Sequence, residues 1–161
     1  MAVYQFQFVL IPSEGIARLH TGNVDFIGEY AARHIDAEVD LDEESPNYWE
    51  GIDKKPLQQV IEGLLPACES WSEDALMYGD SEGDHIEIWD NTVDVSLDAR
   101  NLNASLLLAV IAAAQVQNCK LVLKDGGKVI APNLDEVTAG LNESSAMKFL
   151  RDPAGFLKGA R

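Results

Sequence analysis

The sequence has few basic residues for its length. Its 161 residues include 12 lysines and arginines against 27 aspartates and glutamates, which gives a formal net charge of -15. This charge repels nucleic-acid phosphates and anionic lipid headgroups, so we expect neither nucleic acid nor a membrane as a partner. A basic protein is the favoured partner. Hydrophobic residues make up 47% of the chain, which is enough to build a folded core.

Cysteine is also scarce, occurring only as Cys68 and Cys119. With no Cys-x-x-Cys pair, the sequence offers neither a disulfide-dense scaffold nor a cysteine-based zinc framework. We expect both cysteines to be small core residues, because free cysteine is among the most frequently buried residue types. The three histidines, His20, His34 and His85, lack metal-ligand spacing, so we expect surface or structural roles.

Long hydrophobic runs and catalytic motifs are missing as well. The longest apolar stretch, residues 106–114, is far shorter than the roughly 20 residues of a membrane-spanning helix. The first eleven residues lack the basic region of a secretory signal, so we expect a cytoplasmic protein. Neither a Gly-x-Ser-x-Gly elbow nor a phosphate loop occurs. We therefore expect a non-enzymatic protein and assign no catalytic residue, metal ligand or cofactor.

The acidic residues are concentrated in the middle of the chain. Residues 36–98 hold 19 acidic and 2 basic residues, whereas residues 99–161 hold 5 acidic and 8 basic residues. Charge asymmetry of this kind influences association and solubility much more than it selects a fold. It therefore indicates where a basic partner would bind.

Hydrophobic periodicity in the first half of the chain predicts both strands and helices. Alternation from Tyr4 to Leu10 predicts a first strand that stops at Pro12. Residues 24–34 fit one face of a short helix, with a strand as the alternative, and residues 36–55 resemble an acidic loop. A second helix is predicted from Pro56 to Leu65, because Pro66 ends its apolar pattern.

The second half of the chain predicts a mainly antiparallel sheet. Short β-prone runs at 75–78, 86–89 and 93–97 are separated by Gly, Asp and Asn residues that favour tight turns. On the last two runs, alternate residues can face a core while Glu87, Asp94, Ser96 and Asp98 face outward, which gives a sheet with one wet face. Residues 103–118 are apolar almost all round and predict a helix lying deep against this sheet.

The C-terminal part predicts a hairpin and further helices. The turn Asp125-Gly126-Gly127 separates runs at 119–123 and 128–130, and helices are expected over about 134–141 and after Ser144 or Ser145. Pro153 should break the last helix before Phe156 and Leu157. The whole chain, residues 1–161, is predicted to be a single α+β domain with a mainly antiparallel sheet covered on one face by helices, with an acidic segment at about 36–98.

The most conspicuous chemical feature is a run of six carboxylates within nine positions, which we term the acidic run. Its members are Asp36, Glu38, Asp40, Asp42, Glu43 and Glu44. Three interpretations stay open: a solvated loop, a patch for a basic protein surface, or oxygen ligands for a divalent cation. The central Gly and terminal Glu of a calcium loop are missing, which disfavours the third.

Two further groups are candidates for partner binding. Asp80, Glu82 and Asp84 alternate within a turn, where a hairpin explains them better than a calcium site does. Trp49, Trp71 and Trp89 all lie in the acidic third of the chain, and at least one should belong to the core. Trp49 lies in a polar stretch and could equally be an interface anchor, since tryptophan buries a large area at low entropic cost.

Size, the acidic middle third and the closing segment together resemble a class of small proteins. The closing segment contains Lys120-Leu121-Val122-Leu123, then Asp125 to Pro132, then Phe149-Leu150-Arg151-Asp152-Pro153-Ala154-Gly155-Phe156-Leu157. These features resemble the small acidic immunity proteins that bacteria pair with polymorphic or contact-dependent toxins. The resemblance implies a basic toxin domain as the partner, with a nuclease as one candidate, neutralised by covering its active cleft.

On local physics, the predicted partner-binding patch is the acidic run with Trp49, and secondarily Asp80, Glu82 and Asp84. The alternative class is a small carboxylate-based enzyme or a divalent-metal-binding domain whose acids meet only after folding. A third alternative is an adaptor for a cationic protein that is not a toxin. The sequence leaves the oligomeric state open.

Overall fold

The computed structural model describes residues 3–21, 24–27 and 46–159 of the chain. Within these residues, seven strands form one antiparallel sheet in the order β2-β3-β4-β5-β1-β6-β7. The strands are β1 (Gln5–Pro12), β2 (Ala67–Cys68), β3 (Leu76–Gly79), β4 (His85–Ile88), β5 (Val93–Asp98), β6 (Cys119–Leu123) and β7 (Val129–Ile130). The first strand is therefore central, and it pairs with strands far away in sequence.

Helices begin mostly where the sequence supplies a capping side chain. They are α1 (Ser13–Leu19), α2 (Lys55–Leu64), α3 (Ala104–Val116), α4 (Leu134–Glu143), α5 (Ser145–Arg151) and α6 (Pro153–Gly159), with a 3₁₀ turn at Ala99–Asn101. Side chains of Asn103, Asn133 and Ser144 accept hydrogen bonds from backbone N–H groups in the first turns of α3, α4 and α5. This architecture confirms the predicted α+β fold with an antiparallel sheet.

One face of the sheet carries the main hydrophobic core. Alternate residues of β1 (Phe6, Phe8 and Leu10) are buried there, since side chains alternate between the two faces of a strand. Helices α2 and α3 contribute Leu57, Ile61, Val110 and Ile111 to the same cluster. The apolar helix, now α3, packs on the sheet as predicted, but only one side of it is buried, since Leu108 and Val116 are exposed.

The opposite face of the sheet is divided into an apolar and a polar half. The apolar half consists of Val9, Ile11 and Val122, and it packs against Ile16 of α1 and against Tyr48. Helix α1 approaches the Tyr48 backbone so closely that a Cβ on Gly15 would lie 2.0 Å from the Tyr48 carbonyl oxygen. The polar half is formed by Gln7 of β1, by His85 and Glu87 of β4, and by Asp94 and Ser96 of β5.

Several expectations about local structure need correction. Residues 24–27 are not helical, and Phe26 instead forms a β-bridge with Lys128. The rest of that expected helix, residues 28–34, lies outside the described residues. The sequence patterns did not predict helix α1 or strand β2. Pro153 ends the preceding helix as expected, but it also begins a new helix, α6, which contains Phe156 and Leu157.

The two cysteines differ in environment. Cys119 is buried at the start of β6, as predicted, and burial raises the pKa of its thiol to about 12. Cys68 is exposed, so the prediction of a core position is wrong for it. The reason is that β2 is a two-residue edge strand that pairs with β3 alone.

Candidate functional site

Strand register brings polar side chains from three strands together on the polar half of this sheet face. His85 of β4 is paired with Ser96 of β5, and Ser96 is paired with Gln7 of β1. The Gln7 side-chain amide donates a hydrogen bond to the Ser96 hydroxyl at 2.9 Å. One step along the strands, Glu87 is paired with Asp94. Glu87, Asp94 and Ser96 belong to the outward-facing set that alternation predicts, whereas Gln7 and His85 were not among the predicted residues.

This polar surface is the floor of a groove of about 590 Å³, which we term the polar groove. Its lining includes Gln7, Glu69, Asp80, His85 and Lys124. Trp71, in the segment that joins β2 to β3, also contributes to the lining. The volume falls within the range of about 300–1,000 Å³ that is common for ligand sites in proteins.

One wall of the groove is the turn between β3 and β4, and hydrogen bonds from β1 hold this turn in place. The Gln5 amide nitrogen donates to the carbonyl oxygens of Ser81 and Gly83, at 3.1 and 3.0 Å. Gln5 itself is buried. This one side chain therefore fixes two positions of the β3–β4 turn to strand β1. The turn is held by these hydrogen bonds as well as by its own sequence.

Two tryptophans form an aromatic pair beside the groove. The Trp71 side chain is strongly exposed, at 75% of its full accessible area, and its ring centroid lies 5.2 Å from that of Trp89 with the planes at 55°. The Trp89 indole donates from Nε1 to Glu87 Oε2 at 2.7 Å. Trp89 therefore contacts both the exposed Trp71 ring and the Glu87 carboxylate on the floor of the groove.

The carboxylate of Glu87 has a second partner in His85. His85 Nε2 lies 3.2 Å from Glu87 Oε1, and the imidazole is buried. The pKa of Glu87 is lowered, first by this hydrogen bond and further by the bond from Trp89 and by the positive charge of Lys124. Glu87 is therefore held as a fixed negative charge.

A partly buried ion pair completes the floor. Lys124 Nζ lies 3.4 Å from Asp94 Oδ2, and the two side chains are only 12% and 18% exposed. The Thr92 hydroxyl donates to Asp94 Oδ1 at 2.9 Å. Burial raises the pKa of Asp94, while Lys124 and Thr92 act in the opposite direction by favouring the charged form. Charges at this depth are costly to keep, so Asp94 and Lys124 depend on each other and on Thr92 as partners.

The carboxylates of the β3–β4 turn have mainly structural partners. Asp80 Oδ1 accepts the Glu82 backbone N–H, and Asp84 Oδ1 accepts the Asp98 N–H at 2.9 Å. The hydroxyl of Tyr4 donates to the backbone carbonyl oxygen of Glu82. Asp80 and Glu82 nevertheless remain exposed, and Asp80 lines the groove. The predicted hairpin turn is thus observed, with part of its charge facing solvent.

Trp49 requires a correction, because it lies in the core and is only 2% exposed. Its indole donates to the Leu10 carbonyl oxygen at 3.0 Å, and the Lys54 ammonium lies 5.4 Å from its ring centroid. A side chain enclosed in this way cannot anchor a partner. The acidic run to which it was assigned, Asp36 to Glu44, lies outside the described residues.

Apart from Asp80, the residues that line the polar groove were not identified as a site from sequence. A signal was available, since His85, Glu87 and Trp89 alternate and therefore share one face of a strand. Trp71 stands in Glu69-Ser70-Trp71-Ser72-Glu73-Asp74, where no apolar neighbour helps to bury it. What sequence could not supply was the long-range pairing that brings Lys124 and Gln7 to the same floor.

The lining of the groove was also compared with the ligand sets that metal ions require. In the part of the chain that the structure describes, no three His, Cys, Asp or Glu side chains are grouped to hold a metal ion. The same residues include no helix long and apolar enough to cross a membrane. The arrangement presents a fixed carboxylate, an exposed indole and amide and hydroxyl groups, which together can accept hydrogen bonds and attract a cation.

Comparisons with protein-family models, with curated proteins and with solved structures found no match to this chain. Its function is therefore inferred from its own side chains.

Proposed function

We propose that this chain is a non-enzymatic acidic binding protein that acts in the cytoplasm by covering a basic surface of a partner protein. The observation that carries the proposal is the exposed Trp71, packed on Trp89 beside a polar groove. The Trp71 side chain is 75% exposed, and tryptophan is among the residue types enriched at the positions that dominate binding energy in protein interfaces.

Charge supports a basic partner. The chain carries a formal charge of -15, and Glu69, Asp80 and Glu87 line the groove against the single ammonium of Lys124. Complementary charge accelerates encounter, whereas a buried aromatic anchor mainly slows dissociation. The acidic run, Asp36 to Glu44, would add to the attraction. Trp71 would supply the apolar contact that slows dissociation of the complex once it has formed.

A toxin domain is the proposed identity of the partner, so that the chain acts as its immunity protein. The proposal rests on the resemblance of size, charge and closing segment to such proteins. It also rests on the match between an acidic surface and the positive cleft that a nuclease toxin needs for its substrate. Carboxylates would take the place of phosphates in that cleft and so block it.

Reconstitution with a purified partner tests the proposal. The tagged chain is expressed in the organism that encodes it, and proteins that co-purify at low and at moderately raised salt are identified by mass spectrometry. A basic protein found in this way is then purified alone, mixed with the chain, and assayed for stoichiometry by calorimetry and for its own activity. We expect a 1:1 complex in which the activity of the partner is suppressed.

Three other outcomes would separate the alternatives. A stable complex that leaves the partner active would favour an adaptor over an immunity protein. Absence of any complex, with toxin expression confirmed, would contradict the proposal. In that case, a rise in melting temperature on adding Ca²⁺ or Mg²⁺ would favour the metal-binding alternative, since a ligand that binds only the folded state stabilises it.

A further inference from the structure

The polar groove has a net negative lining with a planar aromatic surface at its margin. Carboxylates of Glu69, Asp80 and Glu87 line it, and the ammonium of Lys124, which also lines it, is paired with the partly buried Asp94. A cationic group entering the groove therefore exchanges water for acceptors of opposite charge. An anionic group would meet the three carboxylates instead.

The acceptors are held in position before any ligand arrives. Glu87 is fixed by His85 on one oxygen and by Trp89 on the other, at 3.2 and 2.7 Å. Each carboxylate oxygen has two acceptor directions, so one remains on each atom for a further donor. His85 is nine-tenths buried, and its Nδ1 has no hydrogen-bond partner among the described residues. The floor thus combines a fixed anion with unused polar capacity.

The chemistry at the margin favours a guanidinium over an ammonium. Glu69 and Trp71 lie two residues apart and both line the groove. A guanidinium stacks on an aromatic face and donates paired hydrogen bonds to a carboxylate, whereas an ammonium is a compact and strongly hydrated point charge. Trp71, which is 75% exposed, has most of its ring available for such stacking.

We propose that the polar groove receives an arginine side chain of the partner protein, stacked on Trp71 and hydrogen-bonded to Glu69 and Glu87. This inference rests on the proposed function, because it names the group that the partner inserts. It makes Trp71 and the two carboxylates the residues that select arginine over lysine.

The three tryptophans provide a direct test by NMR. In protein labelled with ¹⁵N-tryptophan, the indole N–H signals are assigned with single Trp→Phe variants and followed during titration with acetyl-Gly-Arg-Gly-amide. We expect the Trp71 and Trp89 signals to shift with a Kd on the order of 1–10 mM, typical of one small group binding alone. The Trp49 signal should stay in place, since that indole is buried against Leu10, and so confirms that the fold is intact.

Matched peptides and variants make the result specific. Replacing arginine by citrulline removes the charge while keeping the shape and should abolish the shifts, and replacing it by lysine should weaken binding about threefold or more. Glu69→Gln should weaken arginine binding about threefold to tenfold. Glu143→Gln, which removes an equal charge from the exposed end of α4, should leave it unchanged.

Equal shifts with citrulline, or no shift of Trp71 at about 50 mM arginine peptide, would overturn the arginine site. The proposed function would survive that result if a purified basic protein still formed a complex that depended on Trp71. Conversely, arginine-specific shifts without any protein partner would leave the groove as a guanidinium site and contradict the proposed function.

Discussion

The indole of Trp71 packs against the indole of Trp89 with ring centroids 5.2 Å apart, although Trp71 is 75% exposed to solvent. Trp89 is in turn hydrogen-bonded to Glu87, the carboxylate that His85 also contacts. An apolar surface group is thus attached to a charged groove through one aromatic contact and one hydrogen bond. A basic partner can use both parts of this surface, the carboxylates for attraction and the indole for burial.

Replacing Trp71 should separate binding from stability. We expect Trp71→Ala to weaken binding of the basic partner about 10- to 100-fold, because a tryptophan anchor typically contributes about 1.5–3 kcal/mol. The free energy of unfolding should change by less than about 1 kcal/mol, since the side chain is mostly exposed. Calorimetry of the complex and urea denaturation of the free chain measure the two effects.

The control for Trp71 is Val116→Ala, which removes another exposed apolar side chain, at the end of α3. It should change neither quantity appreciably. If Val116→Ala weakened binding as much as Trp71→Ala does, a different apolar surface would be the interface.

Charge reversal in the acidic run should act on the rate of association. Changing Asp40, Asp42, Glu43 and Glu44 to lysine is expected to lower the association rate about 10-fold at low salt and to reduce its salt dependence. The dissociation rate should change little, because long-range charge attraction contributes mainly to encounter. Stopped-flow mixing with the purified partner at several salt concentrations measures both rates. Unchanged association and salt dependence would show that the run takes no part in binding.

Gly15 should be intolerant of any side chain. A Cβ at this position would lie 2.0 Å from the Tyr48 carbonyl oxygen, so Gly15→Ala must push α1 and the Tyr48 backbone apart. We expect a loss of about 1–3 kcal/mol in the free energy of unfolding, as is usual for overpacking. Urea denaturation followed by circular dichroism provides the value.

Gly63 is the matched control, because it lies inside α2 with nothing within 4 Å of an added Cβ. Gly63→Ala should stabilise the chain by about 0.5–1 kcal/mol, since alanine favours the helix over glycine. If both substitutions had the same sign, the close approach of α1 to Tyr48 would be wrong.

The Glu87 carboxyl group should make the free energy of unfolding depend on pH. Its pKa in the folded protein is lower than the ordinary value of 4.5, chiefly because His85 hydrogen-bonds to its charged form. The unfolded chain therefore binds this proton more readily. The contribution of Glu87 is fully present above pH 4.5 and is lost as the pH falls through its lower folded value.

Glu87→Gln removes this contribution at every pH. The difference in unfolding free energy between the native chain and Glu87→Gln should be largest near pH 7 and should shrink towards about pH 3. Urea denaturation across this range measures the difference, with Glu143→Gln as the control for loss of one exposed carboxylate. A difference that stays constant with pH would contradict the assigned role of the His85 contact.

Local patterns predicted most of the described secondary structure, because the alternation of a strand and the capping of a helix depend on residues that are close in sequence. The predicted hairpin around Gly126 and Gly127 forms, since both adopt the positive φ that glycine tolerates. Helix α1 was missed because its seven residues are too few to give a clear period. Its stability comes instead from packing on Val9 and Val122, which are distant in sequence.

The site was predictable only in part, for a physical reason. Position 49 lies in a polar stretch, yet Trp49 is buried because the chain places it against β1, where Leu10 accepts its N–H. Trp71 has an equally polar neighbourhood and stays exposed. Local composition cannot distinguish the two, since burial of a side chain depends on long-range pairing. Net charge can be counted without the fold, and the basic partner that it predicts stays a prediction.

A paired capture experiment tests the central claim, that this acidic chain binds a basic protein through Trp71. Tagged native chain, Trp71→Ala and Val116→Ala are expressed at equal levels in the encoding organism, and co-purifying proteins are quantified by mass spectrometry at low and raised salt. We expect one basic protein in near-stoichiometric amount with the native chain and with Val116→Ala, reduced by salt and largely lost with Trp71→Ala. Equal recovery with all three chains, or no enriched basic protein at either salt concentration, would contradict it.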